Sequence, residues 1–138
     1  MGAFIADRSL MMQLADNPVL GHITTFGGHP VCCAAGLAAF EALLEEGMTE
    51  SVAAKEQLFR SLLVHPRINA VTSFGLWMAV WFDDFATNKR IIDACIEKGV
   101  VTDWFLFASN CLRISPPLTI SEAEIRQACA VILECCEK

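Results

Sequence analysis

Apolar positions recur at helical spacing along several stretches of the chain, and most of these stretches have a recognisable start or stop. Gly47 and Gly99 each follow such a stretch, and glycine ends helices readily because it adopts the left-handed conformation. Ser121 and Glu124 form the S-x-x-E pattern of a capping box, which starts a helix. The pattern predicts a short helix over 8–15 and longer helices over 30–46, 49–64, 88–98 and from 121 onward. The inward faces of the last three are expected to consist of Val52, Phe59, Leu62 and Leu63, then Ile91, Ile92, Cys95 and Ile96, then Ile125, Ala128, Cys129 and Ile132.

Other apolar runs are too short or too continuous for amphipathic helices, and they predict strands. The run over 76–82 is apolar at every position, which is typical of a strand covered on both faces, so Trp77 and Trp81 are expected in the core. A turn at Phe74-Gly75 should separate it from the strand before it. The predicted strands cover 1–6, 68–73, 76–82, 100–102 and 111–114, with an irregular segment over 103–110.

The helix predicted over 30–46 begins with small side chains almost all round. Cys32, Cys33, Ala34, Ala35 and Gly36 follow one another there. Such a surface allows another backbone to approach closely, so we predict that this helix is buried.

Composition limits the possible classes of protein. A chain of 138 residues suits one domain. Its hydrophobic fraction of 54% is above the usual range and its charged fraction of 19% is below it, so we expect apolar surfaces that pack against something outside this chain. A net charge of −6 without a basic stripe argues against a nucleic-acid partner. No apolar run reaches the roughly 18 residues that a membrane span needs.

The seven cysteines do not have the spacing of a metal site. None forms a C-x-x-C, and two pairs are sequence neighbours, which suits neither zinc nor simple disulfides. We interpret them as reduced thiols that serve as small hydrophobic side chains in a cytoplasmic protein, and we predict no metal. Asp83-Asp84 is expected to form a turn at a strand end rather than a catalytic carboxylate pair.

A turn rich in hydroxyl groups and glycine precedes the helix predicted over 30–46. Thr24 and Thr25 come first, Gly27 and Gly28 follow, and Pro30 takes the first helical position, where proline is well tolerated. Hydroxyls, a flexible backbone and a helix N-terminus together suit an anion or phosphate. An ordinary helix entry with glycines serving the turn is the alternative.

The segment HITTFGGHPVCCAAGLAAFEAL resembles the class III aminotransferases, the ornithine, acetylornithine and 4-aminobutyrate group of pyridoxal-phosphate enzymes. His29 stands where this family usually has Asn. The resemblance implies that Thr25 binds the cofactor phosphate of the opposite subunit in a homodimer. Thr24 would be a less direct contact, and backbone N–H groups near Gly27 and Gly28 would assist.

The segment LRISPPLTISEAEI, residues 112–125, resembles the C-terminal motif of the same family. The resemblance implies that Arg113 faces the active site and pairs with a substrate carboxylate or a neighbouring glutamate. The planar guanidinium suits a carboxylate because it can donate two parallel hydrogen bonds. A structural salt bridge is the alternative role for Arg113. Asp103 and Trp104 lie where substrate specificity is expected to be set.

The opening MGAFIA resembles the family segment that follows the cofactor-binding lysine, so that lysine is expected upstream of this chain. None of Lys55, Lys89, Lys98 and Lys138 lies in its sequence context, so we expect this chain alone to be inactive. The chain is thus interpreted as the C-terminal third of a fold type I enzyme. Residues 1–25 would belong to the large cofactor domain. Residues 26–138 would form a small α/β domain, with an antiparallel sheet of three or four strands covered by helices.

The resemblance implies transfer of an amino group from an amino acid or ω-amine to a 2-oxo acid, with small amino and oxo acids as substrates. Two other functions remain open from the sequence. One is a non-catalytic fragment or interaction domain that keeps the fold. The other is a different fold type I enzyme, a decarboxylase or an aminomutase.

Overall fold

The computed structural model describes residues 2–15 and 24–137, and the chain divides into two units between Glu46 and Gly47. The first unit covers 1–46 and the second covers 47–138. The domain boundary predicted between residues 25 and 26 concerns the complete enzyme, and it stays a prediction.

In the first unit, the apolar segment at the chain start is not a strand. Residues 2–6 form neither helix nor strand, so the strand predicted over 1–6 is wrong where it is described. A strand needs a hydrogen-bonded neighbour, and no described strand pairs with this segment. The short helix predicted over 8–15 is confirmed as α1, Arg8–Met11, which a 3₁₀ turn over Met12–Leu14 extends.

Helix α2, Pro30–Glu45, has the predicted start and stop. Pro30 is its first residue, and Gly47 adopts the left-handed conformation just after it, with φ of +57°. No residue of α2 is buried within the described chain, and burial of this helix against a surface outside the chain stays a prediction. Small side chains permit a close approach, but they supply little apolar area to attract a partner. The large apolar side chains exposed on α2 are Val31, Leu37, Phe40 and Leu44.

The second unit contains a four-stranded antiparallel sheet with strand order β1-β2-β4-β3, which confirms the predicted α/β architecture. Its strands are β1, Ala70–Phe74; β2, Trp77–Trp81; β3, Asp103–Phe105; and β4, Ala108–Ile114. Its helices are α3, Val52–Leu62; α4, Phe85–Glu97; and α5, Glu122–Glu137. The β1–β2 hairpin forms where predicted, and Gly75 in its turn has φ of +59°, a conformation that favours glycine.

The second hairpin, β3–β4, was not predicted. Residues 100–102 are not a strand, and the segment expected to be irregular contains β3 and the start of β4. The turn between them consists of Leu106 and Phe107, which are not turn-forming residue types. The pairing also shifts register between Trp104 and Phe105. Neither feature leaves a signal in the sequence.

One face of the sheet packs against α3, α4 and α5, and the other is open. Met78 and Val80 of β2 are buried with Leu112 and Ile114 of β4 in the core beneath the helices. Trp77, on the opposite face, is 55% exposed. The prediction that β2 is covered on both faces, with Trp77 in the core, is therefore wrong. We call this second face the open face; by register it carries Thr72, Phe74, Trp77, Ala79, Trp81, Cys111 and Arg113.

The helical faces of the second unit largely follow the sequence pattern. Phe59, Ile91, Ile92, Ile125 and Ile132 are buried. Ile96 is 47% exposed, so its predicted inward orientation is wrong. The outer edge of β1 is capped by α3, because Arg60 donates Nη1 hydrogen bonds of 2.9 Å to the carbonyl oxygen of Val71 and to Ser73 Oγ.

No helix within residues 2–15 and 24–137 is long and apolar enough to cross a membrane.

Five of the seven cysteines are buried, which confirms their use there as small hydrophobic side chains. Burial raises the pKa of Cys129 to about 12. Burial, reinforced by the neighbouring Cys135, raises the pKa of Cys95 to about 12. Such thiols are protonated at neutral pH, and the thiolate is the reactive form.

We therefore expect an alkylating reagent to modify the exposed Cys32 and Cys33 in the native chain and to spare the five buried thiols. Peptide mass mapping after brief treatment at neutral pH measures this. The double variant Cys32→Ser/Cys33→Ser is the control and should stay unmodified until denaturant is added. Modification of Cys95 or Cys129 as fast as of Cys32 would contradict the buried arrangement.

The capping box at the start of α5 is confirmed. The Ser121 amide and hydroxyl donate to Glu124 Oε2 at 2.8 and 2.7 Å, and the Glu124 amide donates to Ser121 Oγ at 3.3 Å. These bonds, the backbone bond first, lower the pKa of Glu124 below its ordinary value of 4.5. A pKa lower in the folded state gives stability that is present above the unfolded-state pKa and is lost as pH falls through the folded-state pKa.

Glu124→Gln should therefore reduce the loss of thermal stability between about pH 6 and about pH 3. The midpoint of thermal unfolding across that range is the measurement. Glu122→Gln is the matched control, because it removes a carboxylate from the same helical turn without breaking the bonds to Ser121. The cap assignment fails if both variants keep the full acid dependence of the wild type.

Candidate functional site

The turn before α2 is closed by two backbone hydrogen bonds. The Gly27 amide donates to the Thr24 carbonyl oxygen, and the His29 amide donates to the Phe26 carbonyl oxygen, both at 3.1 Å. Gly28 lies between these bonds with φ of +73°, a left-handed conformation that side chains other than glycine rarely adopt. The predicted glycine turn is therefore present, and it leads directly into the helix.

Position 27 has little room for a side chain unless the Thr24 hydroxyl moves. A Cβ atom built there would lie 2.2 Å from Thr24 Oγ1, which is far inside van der Waals contact. The absence of a side chain thus lets the Thr24 hydroxyl approach the backbone of the turn. Thr24, Thr25, Gly27 and Gly28 are all exposed. Among the residues that the structure describes, none hydrogen-bonds to the hydroxyl of Thr25.

His29 caps the N-terminus of α2. Its Nδ1 accepts a 3.3 Å hydrogen bond from the Val31 amide, and its carbonyl oxygen accepts one of 2.9 Å from the Cys33 amide. Asparagine, which the family usually has here, also caps helices through a side-chain acceptor. The departure at this position therefore keeps the physical role, provided that the ring proton lies on Nε2.

These observations fit a phosphate group. The N-terminus of a helix of 16 residues carries partial positive charge, and anions bind there with backbone N–H groups as donors. The glycines leave room at the turn, and the hydroxyl of the exposed Thr25 can donate a further hydrogen bond. The individual contacts predicted for Thr24, Thr25, Gly27 and Gly28 stay predictions.

Arg113 lies in the second unit, on β4, and its side chain is on the open face. In the register of the sheet it is opposite Ala79 of β2 and Asp103 of β3. Its Nη2 donates to Asp103 Oδ2, and its guanidinium carbon lies 5.7 Å from the centroid of the Trp77 ring. The predicted alternative of a salt bridge is thus realised within the chain. Arg113 also retains guanidinium donors that Asp103 does not occupy.

The Asp103–Arg113 ion pair is partly exposed, with side-chain exposures of 47% and 35% respectively. Solvent screens such a pair, so its contribution to stability is small. The ring of Trp77 supports the guanidinium from one side, and Phe105 meets that ring edge-on with 5.9 Å between ring centroids. Arg113 is therefore oriented by two neighbours but is not buried by them.

The adjacent aspartates 83 and 84 have structural roles, which confirms the predicted turn. Asp84 Oδ1 caps α4 by accepting a 2.7 Å hydrogen bond from the Thr87 amide, and this bond lowers the pKa of Asp84. Asp83 accepts a 2.9 Å hydrogen bond from Asn69 Nδ2. Over residues 2–15 and 24–137, no three His, Cys, Asp or Glu side chains group as metal ligands.

Sequence reasoning missed the two neighbours of Arg113. Asp103 was expected near the specificity-determining region but not as an ion-pair partner, because the hairpin that places it opposite Arg113 has no turn signal. Trp77 was assigned to the core, because a strand that is apolar at every position does not reveal which face is exposed. Thr25 and Arg113 lie in different units, and each part of the candidate site is described by itself.

A sequence model of the family described as "Aminotransferase class-III" matches residues 1–136. The chain belongs to the class III aminotransferases. Pyridoxal phosphate is the cofactor of this class, and a similar ornithine aminotransferase structure from Toxoplasma gondii is described with partial occupancy of PLP at its active site. That structure is 25% identical, has a TM-score of 0.69, and is matched over 90% of this chain and 30% of its own.

Several relatives of this aminotransferase chain are named for their substrates. An acetylornithine aminotransferase from Haemophilus ducreyi is 29% identical over 97% of this chain and 33% of its own length. An ornithine aminotransferase from Emericella nidulans is 36% identical over 80% of this chain and 26% of its own length. The chain therefore spans a third or less of these relatives.

The fold agrees with solved aminotransferase structures. An acetylornithine aminotransferase from Elizabethkingia anophelis matches with a TM-score of 0.74 at 27% identity, over 91% of this chain and 34% of its own. An aminotransferase from Bacillus anthracis matches with a TM-score of 0.75 at 27% identity, over 85% of this chain and 30% of its own. The predicted fold class is therefore correct.

Proposed function

We propose that this chain is the C-terminal part of an enzyme that transfers an amino group from an amino acid or ω-amine to a 2-oxo acid. The family match over residues 1–136 supports the reaction class. The single structural observation that carries the proposal is the glycine turn, with Gly28 in the left-handed conformation, that leads directly into the N-terminus of α2. The enzyme is proposed to act as a cytoplasmic homodimer.

In this proposal, Thr25 and the backbone N–H groups near Gly27 and Gly28 hold the cofactor phosphate of the partner subunit. Thr24 closes the turn through its carbonyl oxygen, and the family resemblance makes its hydroxyl the less direct contact. When bound, pyridoxal phosphate supplies the carbonyl group that carries the amino group and the electron sink that eases loss of a proton. This chain fixes the position of that group and does not itself react with it.

The lysine that such an enzyme needs is proposed to lie in a segment outside this chain. The chain covers 33% of the H. ducreyi enzyme, which leaves room for such a segment. None of Lys55, Lys89, Lys98 and Lys138 has the expected sequence context. The chain alone would then have no aminotransferase activity.

Arg113 is proposed to bind a substrate carboxylate. Its guanidinium keeps donors beyond the one that Asp103 occupies, and the partly exposed ion pair can be rearranged at small cost. Trp77 supports the guanidinium plane, so that the free donors point in a restricted set of directions.

Substitutions at Thr25 test the phosphate contact in the complete enzyme. Thr25→Val removes the donor with little change of shape, so cofactor affinity should fall by roughly tenfold to a hundredfold, the value of a hydrogen bond to a charged group. Thr25→Ser keeps a hydroxyl and should lose much less. The measurement is a titration of apoenzyme with pyridoxal phosphate, followed by absorbance of the bound cofactor.

Thr24→Val is the matched control in this series and should have the smaller effect. Equal cofactor affinity in wild type and Thr25→Val would rule out the phosphate role. A larger loss in Thr24→Val would show that Thr24, and not Thr25, makes the phosphate contact.

Arg113→Lys tests the carboxylate contact, because it keeps the charge and loses the paired geometry of the guanidinium. We expect kcat/KM for carboxylate substrates to fall at least about tenfold, or about 1.4 kcal/mol, with cofactor affinity unchanged. Steady-state kinetics of the complete enzyme with several amino donors measure this. Unchanged kcat/KM for every carboxylate-bearing substrate would leave Arg113 with the structural salt bridge alone.

A further inference from the structure

Thr102 lies directly before β3 and contacts the backbone of Arg113 on the neighbouring strand. Its Oγ1 donates a 2.5 Å hydrogen bond to the Arg113 carbonyl oxygen. Both residues are partly buried, and the β-branched side chain of threonine has few rotamers, which keeps the hydroxyl in place. The bond therefore ties the start of β3 to the residue of β4 for which a substrate contact is proposed.

The segment that carries Thr102 is itself fixed to α4. Gly99 follows this helix in the left-handed conformation, with φ of +85°, and the Val100 amide donates a 2.9 Å hydrogen bond to the carbonyl oxygen of Cys95. Cys95 is fully buried in the core. Thr102 follows this anchored turn by two residues, so its hydroxyl is presented by a supported segment rather than by a free loop.

Thr102 also helps to determine where the next residue lies. Asp103 is opposite Arg113 in the sheet, and its carboxylate accepts a hydrogen bond from the guanidinium. The regular pairing of β3 with β4 covers only Asp103 and Trp104, because the register shifts between Trp104 and Phe105. Since the ladder has so few positions, the side-chain bond from Thr102 is a substantial part of what aligns Asp103 with Arg113.

This alignment matters because an arginine side chain has many rotamers. A side chain that is already ordered before its ligand arrives loses less conformational entropy on binding. The Asp103–Arg113 ion pair is partly exposed and therefore weak, so it restricts the guanidinium only while the two strands stay in line. It occupies Nη2 and leaves other donors of the guanidinium for a ligand.

We propose that Thr102 is a positioning residue for Arg113. Its hydrogen bond to the Arg113 carbonyl oxygen keeps Asp103 in line, and Asp103 in turn restricts the directions in which the guanidinium points. Thr102 itself contacts neither substrate nor cofactor. The value of this arrangement for catalysis rests on the proposed function, because the substrate contact of Arg113 belongs to that proposal.

The orientation of Arg113 can be measured on this chain without cofactor or substrate. NMR relaxation of the arginine Nε–H groups reports how far each side chain is restricted, and the signal that disappears in Arg113→Lys belongs to Arg113. Thr102→Val removes the donor with little change of shape, so the order parameter of Arg113 should fall. Thr102→Ser keeps a hydroxyl and should stay close to wild type. Arg60, which is held separately by Val71 and Ser73, is the internal control and should not change.

A double variant tests the route through Asp103. Asp103→Ala should also free the Arg113 side chain. Because Thr102 acts through Asp103, adding Thr102→Val to Asp103→Ala should lower the order parameter of Arg113 little further. Full additivity of the two losses would overturn this route.

In the complete enzyme, the expected effect is confined to substrates that carry a carboxylate. Ornithine, the named substrate of one relative, is compared with 1,4-diaminobutane, which is ornithine without its carboxylate. Thr102→Val should lower kcat/KM for the half-reaction with ornithine roughly threefold to tenfold, the range of one hydrogen bond between uncharged groups. The reaction with 1,4-diaminobutane and the cofactor affinity should not change. A merely structural defect would slow both donors alike.

An unchanged order parameter of Arg113 in Thr102→Val would overturn the positioning role, and so would an equal fall for Arg60, which would indicate general loosening of the fold. Equal losses with both donors would also overturn it. A freed Arg113 side chain, together with unchanged kinetics in Arg113→Lys, would leave the positioning role standing and reject the catalytic role of Arg113. Reduced kcat/KM in Arg113→Lys, with an Arg113 side chain that Thr102→Val does not free, would reject this inference alone.

Discussion

The pairing of β2 with β4 at the centre of the sheet is the constraint on which the second unit depends. It places Met78 opposite Ile114 and Val80 opposite Leu112, so that alternate residues of both strands are buried under the helices. The same alternation directs the intervening residues, Trp77 and Arg113 among them, to the open face. A slip of one residue would exchange the two sets and bury a guanidinium in the core. Core packing and site geometry are thus fixed by the same register.

The first unit depends on local backbone geometry rather than on packing. Its functional turn is defined by the left-handed conformation of Gly28, by the close approach at Gly27 and by the cap that His29 provides. These are interactions over a few residues, and none needs a core. This explains how a turn of such definite shape can precede a helix without a buried residue.

The features predicted best from the sequence are helix ends, which are determined by interactions between residues close together in the chain. The start of α2 at Pro30, the stop of α4 before Gly99 and the start of α5 at the Ser121–Glu124 box were found where expected. The start of α4 was not, because Asp84 caps the helix and it begins at Phe85 rather than at residue 88. The β3–β4 hairpin was not predicted because Leu106 and Phe107 are apolar residues that do not indicate a turn. The strand pairing that makes them a turn is set by the rest of the sheet. The burial of Trp77 was wrongly predicted because it depends on which elements cover the strand. An unbroken apolar run does not indicate which face of the strand is covered. Thr25 and Arg113 were predicted as site residues from family motifs, and those roles stay predictions. The contact between Asp103 and Arg113 is visible only in the folded chain.

The hydrogen bonds from Arg60 to the edge of β1 have a consequence for assembly. An outer strand with unpaired carbonyl groups is a template on which other chains can extend a sheet. Here the Val71 carbonyl oxygen already accepts a 2.9 Å hydrogen bond from Arg60 Nη1, on a helix of the same unit. The opposite edge is only three residues long. Both features disfavour the pairing of another chain with either edge of the sheet.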